Sequence, residues 1–467
     1  MKLPATSDLS SIHLLCGAGG CSHGFAAAGW RVVLGANHWD RAIETHAANF
    51  PDAEHLCVDL NHYDMRNLPK ARVLVGSPIC YEASPADGVA RSTTRPAPGQ
   101  ESLFDDIPLK GWERTRSTAY DLLRAAEVHG FDAVVWENVP RFVTAWPLFD
   151  WWVDGFRQLG YRHQLLSLNA AHVGGMENTS AAQWRDRCFG VFTREHIPAP
   201  DLSVTPPAWC PACETVVASV QTFHPGKVAG RYRQAYDYRC PNTRCGHRVV
   251  EPYVNPAASI IDWSDTGTRI GDRAGLGMRT LAPTTIRKIR MGLDKHQVPS
   301  VITVNHTDTG DGRAVPAHAA PLPTRTLRIG EGIALPGSFI TEHRGGGSTT
   351  RAITHPLATI TAGGNHHGLV IPYRRGAAKT TGEPLHTVAT RESAGLLTAN
   401  PPRTADQVAA EDCYFRMLGP REHLRAQRFA DTYTVKGNIG EQTAQAGNAV
   451  PANVAQHIAT RLAKVLA

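Results

Sequence analysis

The sequence predicts an α/β fold, in which a doubly wound domain is joined to a smaller region that is mostly β or irregular. Short apolar runs such as Val73-Leu74-Val75 end at turn residues, and helical apolar spacing follows several of them, which indicates the first domain. Residues 196–410 are instead rich in Pro, Gly, Thr and His and show few helical patterns, which indicates the second region. A chain of 467 residues is long enough for both.

Composition and charge point to a soluble protein that is compatible with a polyanionic partner. Lys and Arg exceed Asp and Glu by 48 − 42 = 6, which is a modest basic excess. No stretch approaches the length of a membrane span, and the first residues do not resemble a signal peptide, so we expect a cytoplasmic protein with no membrane partner. The ten cysteines are therefore expected to be thiols or metal ligands rather than disulfides.

The first predicted strand, residues 12–15, runs directly into a glycine-rich turn at 16–25. Glycines between a strand and a helix let the backbone approach a ligand closely, and the amides of the helix N-terminus then face that ligand. Such a turn is also a common tight connection with no ligand. The turn is therefore a candidate nucleotide-binding element that needs support from the rest of the chain.

The next two predicted strands end at polar or aromatic side chains. The run 32–36 ends at Asn37, which could accept a hydrogen bond from a ribose hydroxyl, and at Trp39, which could cover an adenine face although a Trp is more often part of a core. Asp59 follows the third short strand and could accept from an adenine amino group. These residues extend the candidate cofactor site along one sheet edge.

Cys80 is the candidate nucleophile. It follows the fourth predicted strand through Gly76-Ser77-Pro78-Ile79, so it should lie on a loop at the carboxyl edge of the sheet. A thiolate there is reactive if positive charge lies nearby, whereas a free Cys is more commonly a small buried residue. Residues 89–110 read as a long loop of the kind that closes over a site.

Glu137 and two arginines are further candidates. The predicted strand 133–136 brings Glu137 to the same edge as Cys80, where it either has a chemical role or caps the next helix. Gln183, Arg185 and Arg187 alternate, so on a strand they would share one face. Two Arg on one face suit an anionic or carbonyl-rich ligand, and a solvated edge strand is the alternative.

Two pairs of cysteines predict a metal site in the central region. Cys210 and Cys213 form one pair and Cys240 and Cys245 the other, which suits one tetrahedral Zn(II) with a structural role. The spacing of the second pair is wide, so His247 is an alternative to Cys245. Basic and aromatic residues are interleaved here, which suits phosphate contact and base stacking, or else a solvated basic face: Lys227, Arg231, Arg233, Arg239, Arg244, Arg248, Phe223, Tyr232, Tyr236 and Tyr238.

The order of these features resembles the DNA cytosine-C5 methyltransferases, which use S-adenosylmethionine. The resemblance rests on the glycine-rich turn, the Pro-x-Cys loop at Cys80, Glu-Asn-Val at 137–139 and Gln-x-Arg-x-Arg at 183–187. Near the C-terminus, 416–422 and Gly447-Asn448-Ala449-Val450-Pro451 match the last two motifs of that family. Each motif is weak alone, and the ordered set is specific.

The resemblance implies a Rossmann-like S-adenosylmethionine-dependent methyltransferase domain formed by residues 1–195 and 413–467, with the final helix packed beside the first motif. Residues 196–412 would form the target-recognition domain, which carries the zinc-knuckle element. The implied activity is that of a DNA (cytosine-5-)-methyltransferase on double-stranded DNA, in a monomer of the bacterial or phage-infected cytoplasm, associated with the nucleoid. A cognate restriction endonuclease is one partner that such an enzyme can have.

The resemblance also assigns roles to individual residues. Cys80 would add to cytosine C6, Glu137 would hold N3 and N4, Arg187 would bond O2, and Arg185 would order the loop. The cofactor pocket would contain Leu15, Gly17, Ala18, Gly19, Gly20, Asn37, His38, Trp39, Asp59, Leu60, Ser77, Asn448 and Val450.

Two alternative functions are open at this point. A DNA-binding relative with weak catalysis would not need Cys80, Glu137 and Arg187 together, so their presence argues against it. An RNA cytosine methyltransferase would use the same chemistry, and the large central region favours duplex DNA over it. The chain departs from the usual pattern of the family at four positions: His13, Asn37, Ile79 and Tyr81.

Overall fold

The computed structural model describes residues 8–79, 108–175, 177–255, 259–260, 411, 414–417 and 419–467, parts of 262–286, and six strand segments between 300 and 369. These residues form two compact units. One contains the described residues up to Ile260 and from Gly419 to Ala467, and the other contains those between 262 and 417.

The first unit contains eight α-helices and eleven β-strands among its described residues. Its N-terminal part comprises β1 (Ser10–Leu14), α1 (Gly20–Ala27), β2 (Arg31–Asn37), α2 (Asp40–Asn49), β3 (Glu54–Cys57), β4 (Val73–Gly76), α3 (Pro108–His129), β5 (Ala133–Asn138), α4 (Pro140–Ala145), α5 (Phe149–Gln158), β6 (Tyr161–Asn169) and β7 (Asp186–Arg194). It continues with β8 (Pro207–Cys210), β9 (Thr215–Ala218), β10 (Val220–Phe223) and β11 (Tyr236–Arg239), and closes with α6 (Pro420–Ala426), α7 (Ile439–Asn448) and α8 (Ala452–Leu466).

A seven-stranded sheet forms the centre of this unit, in the order β3-β2-β1-β4-β5-β7-β6. Its pairs are parallel except those of β7, which runs antiparallel to both β5 and β6. The predicted α/β class is therefore confirmed. The strand order reverses between β1 and β4, and ligands bind outside the carboxyl ends of the strands at such a switch point.

Apolar side chains pack against both faces of the sheet. On one face, the fully buried Trp136 of β5 contacts Trp152 of α5 edge-on, with ring centroids 5.6 Å apart. On the other face, α8 returns to pack against α1, and the Trp30 indole donates to the Ala459 carbonyl (3.0 Å). The predicted return of the final helix to the first motif is thus confirmed, which brings residues at both ends of the chain to the same sheet edge.

The predicted strand through Gln183, Arg185 and Arg187 is only partly correct. β7 begins at Asp186, so Arg187 lies in the strand while Gln183 and Arg185 precede it. The side chains of the two arginines accordingly have different neighbours, described below. Alternation along a segment predicts a common face only where the backbone is extended throughout.

The second unit consists mainly of antiparallel strands in its described part. β12 (Thr268–Arg269), β13 (Ser300–Thr303), β14 (Ala314–Pro316), β15 (Glu331–Leu335) and β19 (Tyr414–Met417) form one sheet, in the order β12-β19-β15-β13-β14. β16 (Phe339–Glu342) pairs with both β17 (Thr349–Ala352) and β18 (His367–Leu369) in another.

By packing, residues 196–260 belong to the first unit. The change of composition near residue 196 is therefore not the border of a compact unit, and the assignment of residues 196–412 to target recognition stays a prediction. None of the described helices combines the length and the apolar character that crossing a membrane requires.

Candidate active site and cysteine cluster

The turn between β1 and α1 has the open geometry that a ligand-binding loop requires. Leu15, Gly17 and Gly19 all have positive φ angles, of 57°, 53° and 84°. A Cβ placed on Gly17 would meet no atom within 4 Å, so the backbone there borders open space. Leu15 is not a glycine, and its left-handed backbone is strain of the kind that concentrates at functional sites. Ala18 is buried, and its carbonyl accepts from the Tyr433 hydroxyl (2.5 Å).

The C-terminal segment lies directly against the start of α1. A Cβ on Gly20 would lie 2.1 Å from the Val450 carbonyl oxygen, so only glycine permits this approach. Val450 is buried, whereas the neighbouring Asn448 is exposed. The predicted cofactor residues at the two ends of the sequence are therefore adjacent in space.

The ends of β2 and β3 carry the other predicted cofactor residues. Asn37 is buried, and its Oδ1 accepts from the Trp39 amide (3.0 Å), which leaves Trp39 half-buried and His38 exposed. Asp59 is exposed and accepts from the amide of Asn61 (3.2 Å). Leu60, which follows it, is buried.

The chain that leads from β4 to Cys80 is held at two points that the sequence did not reveal. The Asn138 side chain donates to the Pro78 carbonyl (3.1 Å), and the Ile79 amide donates to the Thr118 hydroxyl (3.0 Å). Cys80 itself lies outside the described residues, as does the segment that follows it up to 107. In the sequence, only the position of Asn138 beside Glu137 in the Glu-Asn-Val motif could have indicated its role. No sequence pattern indicates Thr118.

Glu137 and Arg187 form an ion pair at this edge. Arg187 Nε lies 2.9 Å from Glu137 Oε1, and the two side chains are 12% and 10% exposed. The pair arises because β5 and β7 are antiparallel neighbours, with Glu137 opposite Phe189. Two of the predicted catalytic side chains therefore meet, and a partly buried guanidinium orients the carboxylate.

Arg185 has a different environment. Its side chain is 2% exposed, and Nη2 donates to the carbonyls of Gly447 (3.1 Å) and Ala449 (2.9 Å). These carbonyls flank the exposed Asn448. Arg185 therefore fixes the turn that carries a predicted cofactor residue.

Three buried or half-buried cysteines near this edge, Cys16, Cys21 and Cys188, are poor nucleophiles. Burial raises the pKa of the Cys16 thiol to about 12, and it raises the pKa of Cys21, which lies near Glu137, still further. Burial likewise raises the pKa of Cys188, beside Arg187, to about 12. At neutral pH these three groups are thiols, and the thiolate is the reactive form.

The four predicted metal ligands come together. The ligand sulfurs of Cys210, Cys213, Cys240 and Cys245 all lie within 4.8 Å of one another. Cys210 Sγ is 4.0 Å from Cys245 Sγ, and Cys213 Sγ is 3.9 Å from Cys240 Sγ. Four sulfurs about 2.3 Å from a tetrahedral zinc ion are separated by about 3.8 Å, so the donor set fits Zn(II). Cys245 therefore supplies the fourth sulfur. His247 is not part of the donor set, and its Nδ1 is hydrogen-bonded to the Cys240 carbonyl (3.1 Å).

Two of the interleaved aromatic residues beside this cluster are not available for stacking on bases. Tyr236 and Tyr238 are 0% exposed, and the expectation for them was wrong. Alternation along β11 turns both toward the protein. Arg231 and Arg233 are both exposed, and Arg233 pairs with Glu251 (2.7 Å).

A buried histidine beneath the glycine-rich turn predicts a pH dependence of stability. His46 is hydrogen-bonded to the Ser22 hydroxyl (2.9 Å) and to His55 (3.0 Å). Burial first, and His55 second, lower its pKa from 6.5 to about 3. Because the folded state disfavours the charged form, this contribution to stability is complete above pH 6.5 and is lost progressively toward pH 3.

We expect His46→Gln to flatten that dependence. Each pH unit within the window costs about 1.4 kcal/mol per histidine, so between pH 7.5 and 5.0 the wild type should lose about 2 kcal/mol more than the variant. Urea unfolding at the two pH values measures the difference. Equal losses in the two proteins would contradict the assignment.

The chain is similar in sequence to a known protein family and to one characterised type of enzyme. The sequence model of the family described as C-5 cytosine-specific DNA methylase matches residues 9–212 and 342–464. The Type II methyltransferase M1.HphI of Haemophilus parahaemolyticus is 29% identical over 175 residues, which are 36% of this chain and 42% of that protein. The chain thus matches less than half the length of this relative.

The chain is also similar to solved structures, at low sequence identity. The structure of a Spodoptera frugiperda DNMT2 mutant is 14% identical, with a TM-score of 0.48, over 98% of this chain and 99% of that one. The S. pombe Dnmt2 methyltransferase is 12% identical, with a TM-score of 0.45, over 96% of each chain.

Proposed function

Because this chain belongs to the C-5 cytosine-specific DNA methylase family, we propose that it methylates C5 of cytosine in a specific duplex DNA sequence, using S-adenosylmethionine. The observation that carries the proposal is the Glu137–Arg187 pair at the carboxyl edge of the sheet, next to the anchored segment that leads to Cys80. Carboxylate and guanidinium together match the acceptors and donors on one edge of cytosine.

The residues at the switch point fit the cofactor. The open space at Gly17 and the exposed side chains of Asp59 and Asn448 leave room and polar groups for a nucleoside. Asn37 and the half-buried Trp39 would contact its ribose and adenine. When bound, S-adenosylmethionine supplies an electrophilic methyl group on a sulfonium.

In the proposed mechanism the side chains make an unreactive ring nucleophilic. The Cys80 thiolate forms a bond to C6, and the electrons of the C5–C6 double bond become available at C5. Glu137 holds N3 and N4 and favours protonated N3, while Arg187 bonds O2 and pairs with Glu137. After methylation a base, in the simplest case a water molecule, removes the C5 proton, and Cys80 leaves as the double bond reforms.

The substrate must enter this site as a single base. A cytosine stacked in duplex DNA does not reach groups at a sheet edge, so we propose that it is flipped out of the helix. Residues 196–412 would read the sequence, and a cognate restriction endonuclease is the protein partner that we propose.

DNA from cells that express the protein tests this function. Bisulfite sequencing should show cytosines protected within one recurring sequence, and cells that express Glu137→Gln at the same level serve as the control. A complete lack of protected cytosines in the wild-type sample would contradict the proposal.

We further propose that the cysteine cluster binds one structural Zn(II). Elemental analysis should find about one zinc ion per chain, and Cys213→Ser should lose it, because three thiolates leave the tetrahedral site incomplete. Cys57→Ser, which replaces an exposed cysteine outside the cluster, is the matched control and should keep the metal. A folded wild-type protein without metal would rule out the site.

A further inference from the structure

Residues 207–253, which we call the four-cysteine module, are hydrogen-bonded to Asp186, the first residue of β7. The Tyr232 amide donates to Asp186 Oδ1 (3.1 Å), and Asn169 of β6 donates to the same oxygen (2.9 Å). Asp186 immediately precedes Arg187 in the strand. A main-chain donor of the module therefore fixes the residue next to Arg187.

The module is bonded to β6 as well. Ser167 lies opposite Cys188 in the β6–β7 pair, and its hydroxyl donates to the Gly230 carbonyl (2.9 Å) and accepts from the Gly230 amide (3.0 Å). The Gln221 side chain donates to the Ser167 carbonyl (2.7 Å). The module thus contacts β7 at Asp186, directly before Arg187, and β6 at Ser167, which faces the residue directly after Arg187.

Aromatic packing makes this contact part of the protein core. The Tyr232 ring stacks on Trp184, with centroids 6.1 Å apart, and meets His172 edge-on at 4.5 Å. Tyr236 and Tyr238 of β11 are fully buried against the same group. Buried aromatic side chains are among the largest contributors to packing, so this attachment adds to the stability of the core.

The cysteines hold the far end of this attachment. Cys240 follows β11 directly, its amide donates to the Arg248 carbonyl (2.9 Å), and the Val250 amide donates to the Tyr238 carbonyl (2.9 Å). The buried apolar group around the sulfurs is small, and a core of this size needs a metal or another cross-link: Ala208, Cys210, Val217, Cys240 and Val250.

We infer that the four-cysteine module is a support for the active site, in which Tyr232 and Asp186 are positioning residues that hold Arg187 against Glu137. The module has this role in addition to any contact with DNA. The role of Arg187 in turnover rests on the proposed function. The structural link between the cysteine cluster and β7, made by hydrogen bonds and packing, is independent of that function.

Hydrogen–deuterium exchange of the full-length protein tests the structural link without any activity. Removal of the bound metal with a chelator should speed exchange of the β7 amides at 186–190 by about tenfold, the effect of losing one buried hydrogen bond. The amides of β1 and α8 should exchange as before. Metal loss that opens the cysteine loops and leaves the β7 amides unchanged would overturn the inference.

A second variant decides the matter if metal removal unfolds the chain. Tyr232→Ala keeps all four cysteines, so it should retain its metal. It removes the ring that packs on Trp184 and His172 and holds the Tyr232 amide against Asp186, so exchange at β7 should still be faster. Tyr253→Ala is the matched control, because Tyr253 belongs to the same module, is 53% exposed, and has a backbone amide that the substitution preserves. Equal exchange at β7 in the two metal-loaded variants would overturn the inference.

Kinetics of Asp186 variants test the positioning role. Asp186→Ala removes the oxygen that accepts from Tyr232 and should lower kcat about tenfold, with the KM for S-adenosylmethionine unchanged. Asp186→Asn retains an acceptor oxygen and should restore most of kcat. If the wild-type protein is inactive on DNA, the proposed function is refuted. The exchange experiment then still shows whether the four-cysteine module supports β7. If Asp186→Ala shows faster exchange at β7 but a normal kcat, the positioning role of Asp186 is refuted and the support of β7 by the module stands.

Discussion

Cys80→Ser is expected to lower methyl transfer by on the order of 10⁴-fold or more, because a serine hydroxyl is a far weaker nucleophile at neutral pH than a thiolate. Binding of S-adenosylmethionine and of DNA should persist, since neither requires the thiolate. Transfer of labelled methyl groups to duplex DNA measures the loss, and equilibrium titrations measure the two binding constants.

A duplex that contains 5-fluorocytosine shows whether Cys80 is the attacking atom. Fluorine at C5 blocks the final proton removal, so the wild type should remain covalently attached to the DNA and the variant should not. Burial leaves Cys16, Cys21 and Cys188 as thiols, so none of them should replace Cys80. An adduct that forms equally well in Cys80→Ser would move the nucleophile elsewhere.

Glu137→Gln is expected to lower kcat by about 10²- to 10⁴-fold, the usual contribution of a positioned acid or base. The amide keeps the size of the side chain but loses the ion pair with Arg187 and the charge that favours protonated N3. Single-turnover rates with saturating DNA measure the effect on the chemical step.

Glu195→Gln is the matched control for that change, because Glu195 is an exposed glutamate just beyond the far end of β7. It should retain the wild-type rate. A Glu137→Gln variant that turns over at the wild-type rate would remove Glu137 from the mechanism, and the Arg187 pair would then be structural only.

The sheet and most of the candidate site could be predicted from local sequence. Apolar runs that end at turn residues place Asn37 and Glu137 at the carboxyl edge, because parallel strands share that edge. The paired cysteines predicted their own cluster, since close spacing in each pair limits where the sulfurs can lie. Both patterns are contained within a few residues of chain.

Other features depend on contacts between segments distant in sequence. The hydrogen bond between Thr118 and Ile79 joins α3 to the segment that follows β4. The hydrogen bond between Arg185 and Gly447 joins residues 262 positions apart. No local pattern encodes such pairs. The tyrosines of β11 were misread for the same reason, since their alternation with charged residues suits a DNA-facing strand as well as a strand with one buried face.

Mass spectrometry of nucleosides tests the central claim most directly. Purified protein, S-adenosylmethionine with an isotopically labelled methyl group, and duplex DNA are incubated, and the DNA is digested to nucleosides; RNA of the same sequence is treated in parallel. We predict labelled 5-methylcytosine from the duplex DNA, and far less label in the RNA. Labelled 5-methylcytosine confined to the RNA, or label on any atom of DNA other than cytosine C5, would contradict the proposed activity.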